Sequence, residues 1–101
     1  MVHSALVFVA MSTEIDYDKV SFVISSKSRE ETIIALTGGF KTPSEIAERS
    51  EVSISHVSRA LSSLRERELV ELLVDEDRKK GRLYGLTEMG DVVGEAVANR
   101  E

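Results

Sequence analysis

The chain has 101 residues, 42% of them hydrophobic and 31% charged, with a formal net charge of −5 at neutral pH. That length suits a single domain with a modest core, and the composition is that of an ordinary globular protein. The absence of cysteine excludes a disulfide framework, a thiolate metal site and a thiol nucleophile, and the compartment expected is the cytoplasm.

The stretch from Val2 to Ala10 is apolar, but it is too short to span a bilayer and lacks the basic start of a secretory signal. Met11-Ser12-Thr13 would make an equally natural start. Residues 1–15 are therefore expected to be a loosely ordered extension, with a dimer-contact strand or helix as the alternative for 1–10. The domain proper is placed at 16–101.

Tyr17, Val20, Val23 and Ile24 recur at helical spacing and predict a first helix over about 16–26. Ser28-Arg29-Glu30-Glu31 has the form of a capping box and predicts a second helix over about 29–37, with Ile33, Ile34 and Leu36 in the core. Gly38-Gly39 supplies the positive-φ residue that stops it.

Thr42-Pro43-Ser44-Glu45 repeats the start signal, with Thr as cap, Pro at the first helical position and Glu three residues on. This third helix ends near Ser50, with Ile46 and Ala47 inward and Val52 plugging the turn that follows. Ser53 caps a fourth helix to about Glu66. Ile54, Val57, Leu61 and Leu64 form its apolar edge, and Ser55, His56, Arg59, Ser62 and Ser63 lie on or beside the opposite face. Serine is a poor helix former, so packing must hold this helix, and a surface role for the hydroxyls follows. An edge of hydroxyls, His and Arg opposite an apolar edge suits the major groove of DNA.

Val70, Leu72 and Val74 can share one face of a strand, and Asp75 to Gly81 reads as a charged loop with Gly81 at positive φ. Arg82 to Leu86 returns as a second strand, with Tyr84 and Leu86 on one face. Thr87 caps a last helix to about Val97 carrying Met89, Val92, Val93 and Val97. The fold class is mainly α with a small β-hairpin (α+β).

The stretch from Lys41 to Arg82 holds nine basic and nine acidic residues, so the negative charge sits in the flanks. A neutral centre can bind phosphates locally, although bulk attraction to a polyanion is weak.

This order of elements resembles the winged helix-turn-helix regulators of the ArsR and MarR type. The resemblance is carried by Ser28-x-x-Glu31-x-Ile33-Ile34-x-Leu36, Ser44-Glu45-Ile46-Ala47 and Ser53-x-Ser55-x-Val57-Ser58-Arg59-x-Leu61-x-x-Leu64. Leu69-Val70 and Tyr84-Gly85-Leu86-Thr87-x-x-Gly90 complete it. The chain departs from the pattern in having Glu68 where such families often place Gly, and in lacking the cysteine pairs of ArsR-type metal sensors.

The resemblance implies a dimeric transcriptional regulator that binds double-stranded DNA, with 53–66 as recognition helix in the major groove and the wing, 75–82, on backbone or minor groove. On the recognition helix the implied contacts are Ser53, Ser55, His56, Ser58, Arg59, Ser62 and Ser63. Arg59 is the foremost base reader, since a guanidinium can bond guanine O6 and N7 together. Thr42 and Ser44 can present hydroxyls and backbone N–H groups to a phosphate. Arg78, Lys79, Lys80 and Arg82 form the basic wing.

Two half-sites require two recognition helices, so a homodimer through the N- and C-terminal elements is expected, with Phe8, Phe22, Val93 and Val97 as exposed apolar candidates. No nucleophile–base pair, phosphate loop or metal-ligand spacing is present, so neither an enzyme nor a cofactor or metal is expected. The alternative is a winged-helix protein-interaction module without DNA binding.

Overall fold

The computed structural model describes residues 16–74 and 81–100. The extension 1–15 with Phe8, and the wing-tip residues Asp75, Glu76, Asp77, Arg78, Lys79 and Lys80, lie outside the described residues. Helix α1 (Tyr17–Ile24) starts on Asp16, whose carboxylate accepts the N–H groups of Asp18 and Lys19.

Helix α2 (Lys27–Leu36) starts two residues before the position its sequence suggests, and Ser26, not Ser28, is its cap. Ser26 holds extended backbone and its hydroxyl accepts the Arg29 N–H. The expected partner of Ser28 is engaged elsewhere, because Glu31 pairs with Lys27 at 3.3 Å one turn back. The Arg29 side chain crosses the elbow between the two helices. Its Nε donates to the Phe22 carbonyl at 2.8 Å, its Nη2 to the Ser25 hydroxyl at 2.7 Å, and its guanidinium lies over the Phe22 ring.

Helix α3 (Pro43–Ser50) carries the full capping box of Thr42 and Glu45, and α4 (Ile54–Glu66) is capped by Ser53. Between them Glu51 takes a left-handed conformation (φ 61°) that turns the chain. At the end of α4 Glu68 does the same (φ 62°), and the Leu69 N–H reaches back to the Leu64 carbonyl. Glu68 thus adopts the positive φ that a glycine would take without a Cβ penalty.

Strands β1 (Val70–Leu72) and β2 (Tyr84–Leu86) pair antiparallel, with Val70 opposite Leu86 and Leu72 opposite Tyr84. Lys41 adds an isolated antiparallel bridge to Tyr84 on the other edge of β2. Helix α5 (Glu88–Asn99) then returns across α1 and α2.

The core joins all these elements: Val23, Ile33, Leu36, Ile46, Val57, Leu61, Leu64, Leu69, Val93 and Val97 are buried. Each such side chain contributes about 1.5–3 kcal/mol by leaving water. Two expectations are corrected here. Val93 and Val97 are fully buried, because α5 lays that face against the helices beneath it. Phe22 is half-buried between the guanidinium groups of Arg29 and Arg67, each 4.0 Å from the ring centre. Ile54 is 51% exposed and is not part of the core.

Two glycines permit the close packing of α5. A Cβ on Gly90 would fall on the Leu69 carbonyl oxygen, and one on Gly94 would come within 3.2 Å of Thr37 Cγ2. Thr87 fastens the same corner, its hydroxyl donating to the Glu68 carbonyl at 2.7 Å while accepting the Gly90 N–H. Among the described residues no helix is long and apolar enough to cross a membrane.

Candidate nucleic-acid interface

Helix α4 is built to expose one ridge. Val57, Ala60, Leu61 and Leu64 bury the inner arc against α2, α3 and β1, which leaves Ser55, Ser58, Arg59 and Ser62 in solvent. At 100° per residue Ser55, Arg59 and Ser62 run down the outer crest of the helix.

On one side of this crest is an open groove of about 620 Å³, lined by Thr42, Pro43, Ser44, Ile54, Ser58, Ser62, Gly81, Arg82 and Tyr84. The expected contacts Thr42, Ser44, Ser58, Ser62 and Arg82, drawn from three separate segments, therefore meet in one place. The Lys41–Tyr84 bridge brings them together, since it holds the chain entering α3 against the wing strand. Gly81, at φ 68°, also lines this groove beside Arg82.

On the other side His56, Arg59 and Ser63 line a smaller notch with Ser26, Ser28, Arg29 and Ala60. His56 Nδ1 lies 2.9 Å from the Ser53 hydroxyl, which also accepts the His56 N–H. Ser53 and His56 are thus partners of one another at the start of α4. Arg59 is exposed and makes no hydrogen bond or ion pair with the described residues. Glu66 is exposed at the end of the same helix and places one carboxylate near the crest.

The hydroxyl of Thr42 accepts the Glu45 N–H, and Glu45 in turn accepts the Thr42 N–H at 2.8 Å. The Thr42 N–H and then the Thr42 hydroxyl, which donates to the same Oε1 at 3.2 Å, hold the Glu45 carboxyl below its usual range, with a smaller contribution from Lys41. Thr42 lines the groove, as does Ser44, whose exposed side chain offers a hydroxyl in the first turn of α3.

Two features escaped the sequence reading. Ile54 follows the apolar rhythm of α4, yet it sits roughly 60° from Val57 on the rim of the arc and in the first turn, where it opens onto the groove. The start of α2, with Ser26 and Ser28, borders α4, a neighbourhood that only the tertiary packing creates. Among the described residues no group of three or more His, Cys, Asp or Glu side chains is placed to hold a metal ion.

ZitR of Lactococcus lactis, in a structure of the wild type in complex with DNA, is 27% identical, with a TM-score of 0.64 over 73% of this chain and 51% of that one. The chain spans about half the length of such ZitR chains. The zinc-dependent MarR-family regulator AdcR in its Zn(II)-bound state is 26% identical, with a TM-score of 0.58 over 73% of this chain and 51% of that one. AdcR of Streptococcus pyogenes, 14% identical, shares the fold over 98% of this chain and 66% of its own, with a TM-score of 0.66. No curated protein matches the sequence. The model of the HVO_A0261 N-terminal domain matches residues 17–101. The chain has the winged helix-turn-helix fold seen in the MarR-family regulators ZitR and AdcR, and it belongs to the HVO_A0261 N-terminal domain family.

Proposed function

We propose that the domain is a cytoplasmic, non-catalytic transcriptional regulator that binds double-stranded DNA. Helix α4 enters the major groove, the start of α3 meets a phosphate, and the wing lies on the backbone or in the minor groove. The observation that carries this reading is the single groove formed by Thr42, Ser44, Ser58, Ser62 and Arg82, beside the exposed Arg59 crest. The DNA complex of ZitR, a relative of the same fold, supports it.

A homodimer on a two-fold symmetric site belongs to the same proposal. Val93 and Val97 cannot serve as its contacts, since they are already buried, whereas Tyr17 (71% exposed) and Met89 (44%) on the terminal helices remain available.

A second reading, a protein-docking module, is favoured by the net charge of −5 and by the exposed pair Phe40 and Leu73 over Gly85. One experiment separates the two. Fluorescence anisotropy against random duplex DNA at low and physiological salt, followed by selection, should show saturable, salt-sensitive binding and enrich a palindromic site. No binding at low salt supports the docking module instead.

A further inference from the structure

We infer that Ile54 reads the 5-methyl group of a thymine in the major groove. This rests on the DNA-binding reading above. Ile54 is the first residue of α4 and is 51% exposed, whereas Val57, Leu61 and Leu64 on the same helix are at most 1% exposed. It gives the core little and instead lines a groove whose other α3 and α4 lining includes Ser44, Ser58 and Ser62.

The lining of that groove suits a nucleic acid better than the acidic surface elsewhere, since among the described residues lining it there is no carboxylate. Hydroxyls serve phosphates and the polar edges of all four bases alike. A branched aliphatic group discriminates differently, because thymine is the base that presents a methyl in the major groove. Bringing that methyl against Ile54 removes apolar surface of both from water, worth about four-fold in affinity for one methyl-sized contact.

The test uses a duplex selected by the wild-type protein, with each thymine replaced in turn by deoxyuridine, which deletes the methyl and keeps the base pairing. At one position per half-site the wild type should lose about four-fold in affinity. The same replacement should cost Ile54→Ala nothing, while Ile54→Val should fall between the two. Melting temperatures report whether the variants fold; should Ile54→Ala fail, Ile54→Val carries the comparison.

Selected sites without a thymine overturn the inference. So does wild-type affinity that is unchanged by deoxyuridine at every position, or a deoxyuridine effect that persists in full in the Ile54 variants. In those cases the DNA-binding reading stands. Failure of the wild type to bind any duplex removes that reading, and this inference with it.

Discussion

Lys41 and Tyr84 exchange two backbone hydrogen bonds, the Lys41 N–H to the Tyr84 carbonyl at 3.0 Å and the Tyr84 N–H to the Lys41 carbonyl at 2.9 Å. This bridge fixes the residue that precedes the cap of α3 against the first residue of β2. The two halves of the groove, forty residues apart in the chain, therefore move as one. Lys41→Pro removes the first of these donors and should loosen the wing from α3, at about 1 kcal/mol in stability. Duplex affinity should fall more for Lys41→Pro than for Lys41→Ala, which keeps both bonds. Equal affinity of the two variants would show that the bridge does not position the groove.

Gly90 is the point where α5 touches the β1 entry, with no room for a methyl group beside the Leu69 carbonyl. Gly90→Ala should cost about 3 kcal/mol or more, since neither backbone can yield without breaking the Thr87 bonds. Urea unfolding measures it; a change below about 1 kcal/mol would mean that α5 sits farther from Leu69.

Thr32 is fully buried in α2, and its hydroxyl has no hydrogen-bond partner among the described residues. Thr32→Val replaces that hydroxyl with a methyl of the same shape. A gain of about 1 kcal/mol is expected, read as a higher urea midpoint at unchanged slope. A loss would reveal a bond to the Thr32 hydroxyl.

The capping box makes part of the stability depend on pH. The carboxyl of Glu45 has a lower pKa in the folded chain than in the unfolded one, through its bonds from Thr42. Its contribution is therefore fully present above the ordinary glutamate range and is lost as pH falls through the folded value. Glu45→Gln should flatten the acid side of the melting-temperature profile below about pH 5 and leave the neutral side nearly parallel to wild type. An unchanged acid limb would remove Glu45 from the linkage.

Much of this architecture was legible because local chemistry marks it. Thr42-Pro43-Ser44-Glu45, Ser53 and Thr87 each start a helix where the sequence places one, and Gly39 and Gly81 take positive φ at turns. What was not legible depends on tertiary contact. Ser26 and Ser28 are equally good caps by type, and the choice is made by Lys27 capturing Glu31 and by Arg29 spanning the elbow to Phe22. Val93 and Val97 form a stripe that would suit a partner or a core, and only the path of α5 over α1 and α2 decides. Ile54 keeps the period of the core, but the period does not say where the covering layer ends.

A longer-range pair ties α2 to the end of α5. Arg100 Nη2 lies 2.7 Å from Glu30 Oε2, whose side chain is only 10% exposed. Arg100→Ala leaves that carboxylate without its partner and should cost about 1–2 kcal/mol, moderated by the partial exposure of Arg100. Adding Glu30→Leu should recover part of the loss, which a double-mutant cycle in urea measures. Strict additivity would mean that the pair contributes nothing.

The most direct test of the central claim, that the exposed crest of α4 reads duplex DNA, is the affinity of wild type and Arg59→Ala for a selected duplex and a scrambled one across a salt series. Arg59→Ala should lose about ten-fold or more on the selected duplex, the worth of one bidentate base contact, and distinctly less on the scrambled duplex. Identical affinities of the two proteins for both duplexes would contradict the assignment of α4 as the reading element.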